Sequence, residues 1–108
     1  MPTIYKVLGQ ANPAATTLTT LYTVPADTSS VSSTLAVCNL GVSTTVKVAV
    51  RPAGEGIADK HYIVYDALLN QFDTLFLTLG VTMAATDVVS VYAGTADVAF
   101  NLYGSEIT

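Results

Sequence analysis

Tryptophan is absent from this chain of 108 residues, and cysteine and histidine occur once each, as Cys38 and His61. A lone cysteine permits no disulfide within the chain, so nothing in its cysteine usage is adapted to an oxidising compartment. One His and one Cys fall short of the three or four clustered ligands that a zinc site requires. Charge is scarce as well, with only four lysines and arginines against eight aspartates and glutamates and a net charge of -4. Nucleic-acid binders commonly neutralise about 6–10 phosphates, which Lys6, Lys47, Arg51 and Lys60 cannot do, so no nucleic-acid partner is expected. No apolar run approaches the roughly 18 residues that cross a bilayer, and the opening Met1-Pro2-Thr3 is not a basic segment followed by an apolar one. Neither a membrane nor an export route is therefore expected, and synthesis in a bacterial cytoplasm is the simplest reading.

What the chain has in abundance is period-two alternation of apolar and polar residues, carried by Val, Leu, Thr and Tyr from about Thr20 to Tyr103. Such a pattern buries one side of a pleated strand, and it fixes the class as all-β. Val31, Ser33, Leu35 and Val37 oppose Ser32, Thr34, Ala36 and Cys38, and past Asn39-Leu40-Gly41 the residues Val46, Val48 and Val50 alternate with Lys47, Ala49 and Arg51. These two strands are predicted to pair as a hairpin. Further strands are expected near Leu18–Val24, Lys60–Asp66, Leu75–Leu79, Val88–Ala93 and Val98–Tyr103. Pro25-Ala26-Asp27-Thr28, Pro52 to Gly56, Met83 to Asp87 and Gly94 to Asp97 supply turns and loops, and Asp66 to Asp73 is read as loop. The expected fold is a single-domain antiparallel β-sandwich over residues 1–108, jelly-roll or immunoglobulin-like, with about seven or eight strands. Residues 1–13 form an N-terminal arm or an edge strand.

Hydrophobic residues make up 51% of the sequence and charged ones 11%, against about 25% charged in an ordinary soluble domain. So little charge on the outside is the composition of a surface made to be covered, and a homo-oligomer or docked subunit is expected. Lys60 to Asp66 points the same way, because Tyr62 and Val64 on one side and His61, Ile63 and Tyr65 on the other leave neither face plainly polar. The residues expected at an interface are Tyr5, Lys6, Val7, Leu8 and Gln10 in the first segment, with His61, Ile63 and Tyr65.

No catalytic, cofactor or metal site emerges. His61 could serve a nucleophile only with a partner in reach and a third group orienting it, and spacing assigns neither. Asp27, Asp59, Asp66, Asp73, Asp87 and Asp97 fall near loops, where isolated aspartates cap backbone amides more often than they hold calcium. Exposed Tyr22, Tyr62, Tyr65, Tyr92 and Tyr103 could stack on sugar rings, so a carbohydrate-binding sandwich is the rival reading.

Several segments in order, Tyr5-Lys6-Val7-Leu8-Gly9-Gln10, Leu21-Tyr22-Thr23-Val24-Pro25, Val37-Cys38-Asn39, Val48-Ala49-Val50-Arg51-Pro52, Lys60-His61-Tyr62, Leu77-Thr78-Leu79-Gly80 and Phe100-Asn101-Leu102-Tyr103-Gly104-Ser105-Glu106, carry a resemblance. Together they resemble the short virion proteins of tailed phages that infect cyanobacteria and other aquatic bacteria. The resemblance implies a non-enzymatic structural protein of the virion, assembled in the host cytoplasm. A capsid decoration or cement protein, trimeric and bound to the major capsid protein, is the expectation. A tail, neck or baseplate adaptor, or a receptor-contacting module, is the alternative.

Overall fold

The computed structural model describes residues 2–108, and it contains eight strands. They are β1 (Thr3–Ala11), β2 (Thr19–Thr23), β3 (Ser29–Asn39), β4 (Thr44–Arg51), β5 (Tyr62–Leu69), β6 (Thr74–Met83), β7 (Val88–Ala93) and β8 (Val98–Ile107). Two four-stranded antiparallel sheets, ordered β1-β8-β3-β6 and β2-β7-β4-β5, pack as a sandwich. Strand 1 pairs with 8, 2 with 7, 3 with 6 and 4 with 5, so the chain is one long hairpin rolled around a common core. That is the strand order of a jelly roll, and it decides between the two sandwich topologies the alternation allows.

Two local expectations are corrected. β3 and β4 do not form a hairpin, since β3 lies between β8 and β6 while β4 lies between β7 and β5. Alternation marks which side of a strand is buried but is blind to which partner buries it. The segment from Asp66 is not all loop either, because β5 continues through Leu69. Register shifts against β4 fall on both sides of Val48, and Asp66 takes φ 52° at the second. Each inserted residue resets the pleat, so Val64, Ala67 and Leu69 turn inward in place of every second residue. The same shifts explain why Lys60 to Asp66 reads as apolar on both sides.

β1 is an edge strand and not a free arm. It pairs with β8 from Thr3 opposite Ile107 to Ala11 opposite Phe100, with one shift near Leu8. Its far side packs on β2 so closely that a Cβ at Gly9 would overlap the Leu21 carbonyl oxygen. This closes one side of the sandwich.

The core is apolar and tightly enclosed. Leu35, Val37, Val46, Val48, Val91, Phe100 and Leu102 are almost completely buried. Polar groups enter it only where they are bonded. The Asn39 amide donates to the carbonyls of Val42 (2.8 Å), Leu69 (3.2 Å) and Asn70 (3.0 Å), and its oxygen accepts from the Gly41 amide (3.0 Å), locking the β3–β4 and β5–β6 turns together. At the opposite end the buried Tyr22 hydroxyl donates to Glu106 Oε2 at 2.6 Å, while Lys6 Nζ lies 3.4 Å from Oε1. Burial, and then that bond to a carboxylate, push the Tyr22 hydroxyl up to about 12.

Candidate functional site

The two outer faces of the sandwich differ in kind. Residues paired across antiparallel strands share a face, so register assigns every outward position. On the β2-β7-β4-β5 sheet the outward side chains include Val88, Ser90, Ala49 and Arg51, and the first three are nonetheless buried. The β4–β5 connection, residues 52–61 with 3-10 turns at Pro52–Gly54 and Asp59–His61, folds back over them. Arg51 holds it there, Nε donating to Ser90 Oγ at 3.1 Å and a terminal nitrogen to the Glu55 carbonyl at 2.9 Å. His61 is the second pin. Its Nδ1 accepts from the Ala58 amide at 3.0 Å, which leaves the proton on Nε2, 3.2 Å from Glu55 Oε1.

Beside this cover, Lys47 forms an ion pair with Asp66 and lies 4.3 Å and 4.9 Å from the ring centres of Tyr65 and Tyr92. The Asp66 bond, first among the causes, raises the Lys47 ammonium above its ordinary value. Tyr62 meets Tyr65 edge to face at 5.0 Å. Every strand charge on this face is therefore engaged within the chain.

The β1-β8-β3-β6 sheet has no such cover. Its outward positions are Thr3, Tyr5, Val7 and Gln10 on β1, and Ala99, Asn101, Tyr103, Ser105 and Ile107 on β8. Val31, Thr34, Ala36 and Cys38 follow on β3, with Thr74, Phe76, Thr78, Gly80 and Thr82 on β6. Not one of these is Asp, Glu, Lys or Arg. The face is flat, hydroxyl-rich and studded with Tyr5 (84% exposed) and Phe76 (69% exposed). A shallow trough of about 480 Å³ crosses it between Tyr5, Val7, Val31 and Tyr103.

The residues expected at an interface divide accordingly. Tyr5, Val7 and Gln10 lie on the uncharged face, and Ile63 and Tyr65 lie on the other sheet's edge strand β5. Lys6 turns to the opposite side of β1, toward Glu106. Leu8 belongs to the core and His61 is 5% exposed, so their side chains are spent inside the fold and offer no surface. Phe76 and Tyr103 stand exposed on the same uncharged face, Phe76 at an outward step of Thr74-Leu75-Phe76-Leu77-Thr78.

The structure does not bring the sequence's few reactive groups together. His61 covers the outside of one sheet, and Cys38 lies on the outside of the other. Among the described residues no three of His, Cys, Asp and Glu cluster, and no helix is long and apolar enough to cross a membrane. Asp87 caps the amides of Ala53 and Ala84, and Asp73 that of Thr74, which is turn chemistry. The tyrosines do not form one sugar platform either. Tyr22 is in the core, Tyr65 and Tyr92 flank Lys47 with Tyr62 against Tyr65, and Tyr103 stands on the opposite face. Comparison with family models, with curated proteins and with solved structures gives no match.

Proposed function

We propose that this protein is a non-enzymatic structural component of a phage virion, a decoration or cement protein that fastens to the capsid through the uncharged outer face of its β1-β8-β3-β6 sheet. The observation that carries the reading is the bareness of that face. Covering hydroxyls and apolar groups desolvates no ion, so neighbours can bury such a surface at small electrostatic cost. Its opposite number is partly covered by the chain's own loop, and its strand charges Lys47, Arg51 and Asp66 are engaged within the chain. The resemblance to virion proteins supports the same reading. So does the eight-stranded jelly roll, a fold that serves in viral capsids as well as lectins, though by analogy of fold alone. Attachment strengthens the shell because each bridging contact adds free energy that exists only in the assembled state.

Particles produced without the protein should burst at lower temperature or milder osmotic shock than complete ones. Tyr5→Asp places a charge on the most exposed ring of the face, at its β1 margin and on a residue outside the core, and should abolish attachment while leaving the melting temperature of the purified protein unchanged. Equal resistance of bare particles, or full occupancy by Tyr5→Asp, refutes the cement role. A copy number of a dozen or fewer per particle moves the protein to the tail, neck or baseplate.

A further inference from the structure

We propose that β6 is a self-pairing edge, through which two copies of the chain join antiparallel about a two-fold axis at Thr78. One sheet would then run from β1 of one copy to β1 of the other. The inference does not depend on the virion reading, because the purified protein alone tests it.

A sheet edge offers unpaired amides and carbonyls to any strand, and folded proteins blunt such edges with charge, proline, bulges or brevity. Three of the four edges here are blunted. β1 carries Lys6 and a register shift and lies between Pro2 and Pro13, β2 has five residues and packs on β1, and β5 has two register shifts and Asp66. β6 has one register shift against β3, where Leu79 and Gly80 stand opposite Ser33, but it runs ten residues without charge or proline and its exposed/inward alternation continues through that shift. It is also unfinished on the inside. Leu75, Leu77, Leu79 and Val81 pack against the core yet stay half-buried, because the side of the sandwich between β5 and β6 is open.

The occupant is read from the strand itself. Antiparallel pairing sets like faces opposite each other, so a two-fold axis must pass through a residue. With the axis at Thr78, Thr74 opposes Thr82 and Phe76 opposes Gly80. Phe76 projects into solvent, and a Cβ at Gly80 would meet nothing within 4 Å. Each copy thus supplies the ring that covers the other's glycine, the pairing by which aromatics compensate glycine in edge strands. Moving the axis to Leu77 or Leu79 separates Phe76 from Gly80. A charge on the axis would oppose its own copy, and β6 has no charge anywhere. A strand of ten residues is about 33 Å long, and a sandwich wall is about 20 Å across with its side chains. The pair would bury roughly 1,300 Å² in all, above the ~1,000 Å² a specific interface should clear.

Sedimentation equilibrium of the purified chain should give a dimer. Thr78→Lys, which sets two ammonium groups face to face on the axis, should give a folded monomer whose melting temperature, unlike the parent's, does not rise with protein concentration. Phe76→Ala should raise the dimer Kd about two- to thirtyfold, because two symmetry-related pairs are lost. In a Cys38→Ala background, mild oxidation should cross-link Thr78→Cys to a disulfide dimer. Thr82→Cys alone should not cross-link, whereas Thr74→Cys with Thr82→Cys in one chain should. A monomer at every loading concentration, a trimer, a Thr78→Lys dimer, or equal cross-linking of Thr82→Cys and Thr78→Cys overturns the proposal.

Discussion

Tyr22 shows what a single buried polar contact contributes here. Its hydroxyl reaches from β2 across the sandwich to Glu106 on β8 and ties the two sheets together at one end. With the folded-state value at about 12 and the unfolded one near 10.0, the native state holds this proton more tightly. Its contribution is complete below about pH 10 and is lost as pH rises through 12, at about 1.4 kcal/mol per pH unit within that window. Tyr22→Phe should therefore flatten the fall of stability between pH 10 and 12 in urea melts. At neutral pH it should cost about 1.5–3 kcal/mol, because Glu106 loses its hydroxyl donor. An alkaline limb identical to that of the parent chain would contradict this account.

Strands are limited here by how closely they approach one another. β1 can close the sandwich on β2 only because Gly9 has no side chain where the Leu21 carbonyl sits. Gly9→Ala forces two backbones apart and should cost about 2–3 kcal/mol in chemical denaturation. Gly56→Ala, in the exposed β4–β5 connection with open space at its Cβ, should stay within about 0.5 kcal/mol of the parent. Comparable losses for the two would mean that β1 and β2 are not held in contact. That connection works as an element in its own right, since it turns the outward positions Ala49, Val88 and Ser90 into interior.

At the scale of the whole molecule the decisive property is asymmetry, with one face partly covered by the chain and the other left bare, one side closed by β1 and β2 and the other open at β6. Pairing at β6 would place two bare faces on one continuous sheet. On the proposed capsid role, a dimer so built would engage two capsid sites at once, the second contact forming at high effective concentration. Thr78→Lys should then still reach the capsid but wash off more than tenfold faster than the parent protein, as timed release from loaded particles would measure. Release at the parental rate would separate the self-pairing edge from capsid attachment.

How far this was legible in the residues depended on the range of the interaction. Val46, Val48 and Val50, or Val98, Phe100 and Leu102, declare an inward face by local spacing alone, because the period of the pleat is a property of one strand. The all-β class, the single core and the scarcity of charge follow from such local facts. Gln10 and His61 could not be placed the same way, since a register shift near Leu8 returns Gln10 to the outer face and a loop that must fold back buries His61. The pairing of β3 with β6 and β8, the cover over one sheet and the bare edge of the other arise from contacts between segments far apart in the chain. Sequence by itself determined that this protein is a weakly charged β-sandwich. Only the tertiary structure decided which of its faces and edges remain uncovered, because covering a surface is an act of some other part of the fold.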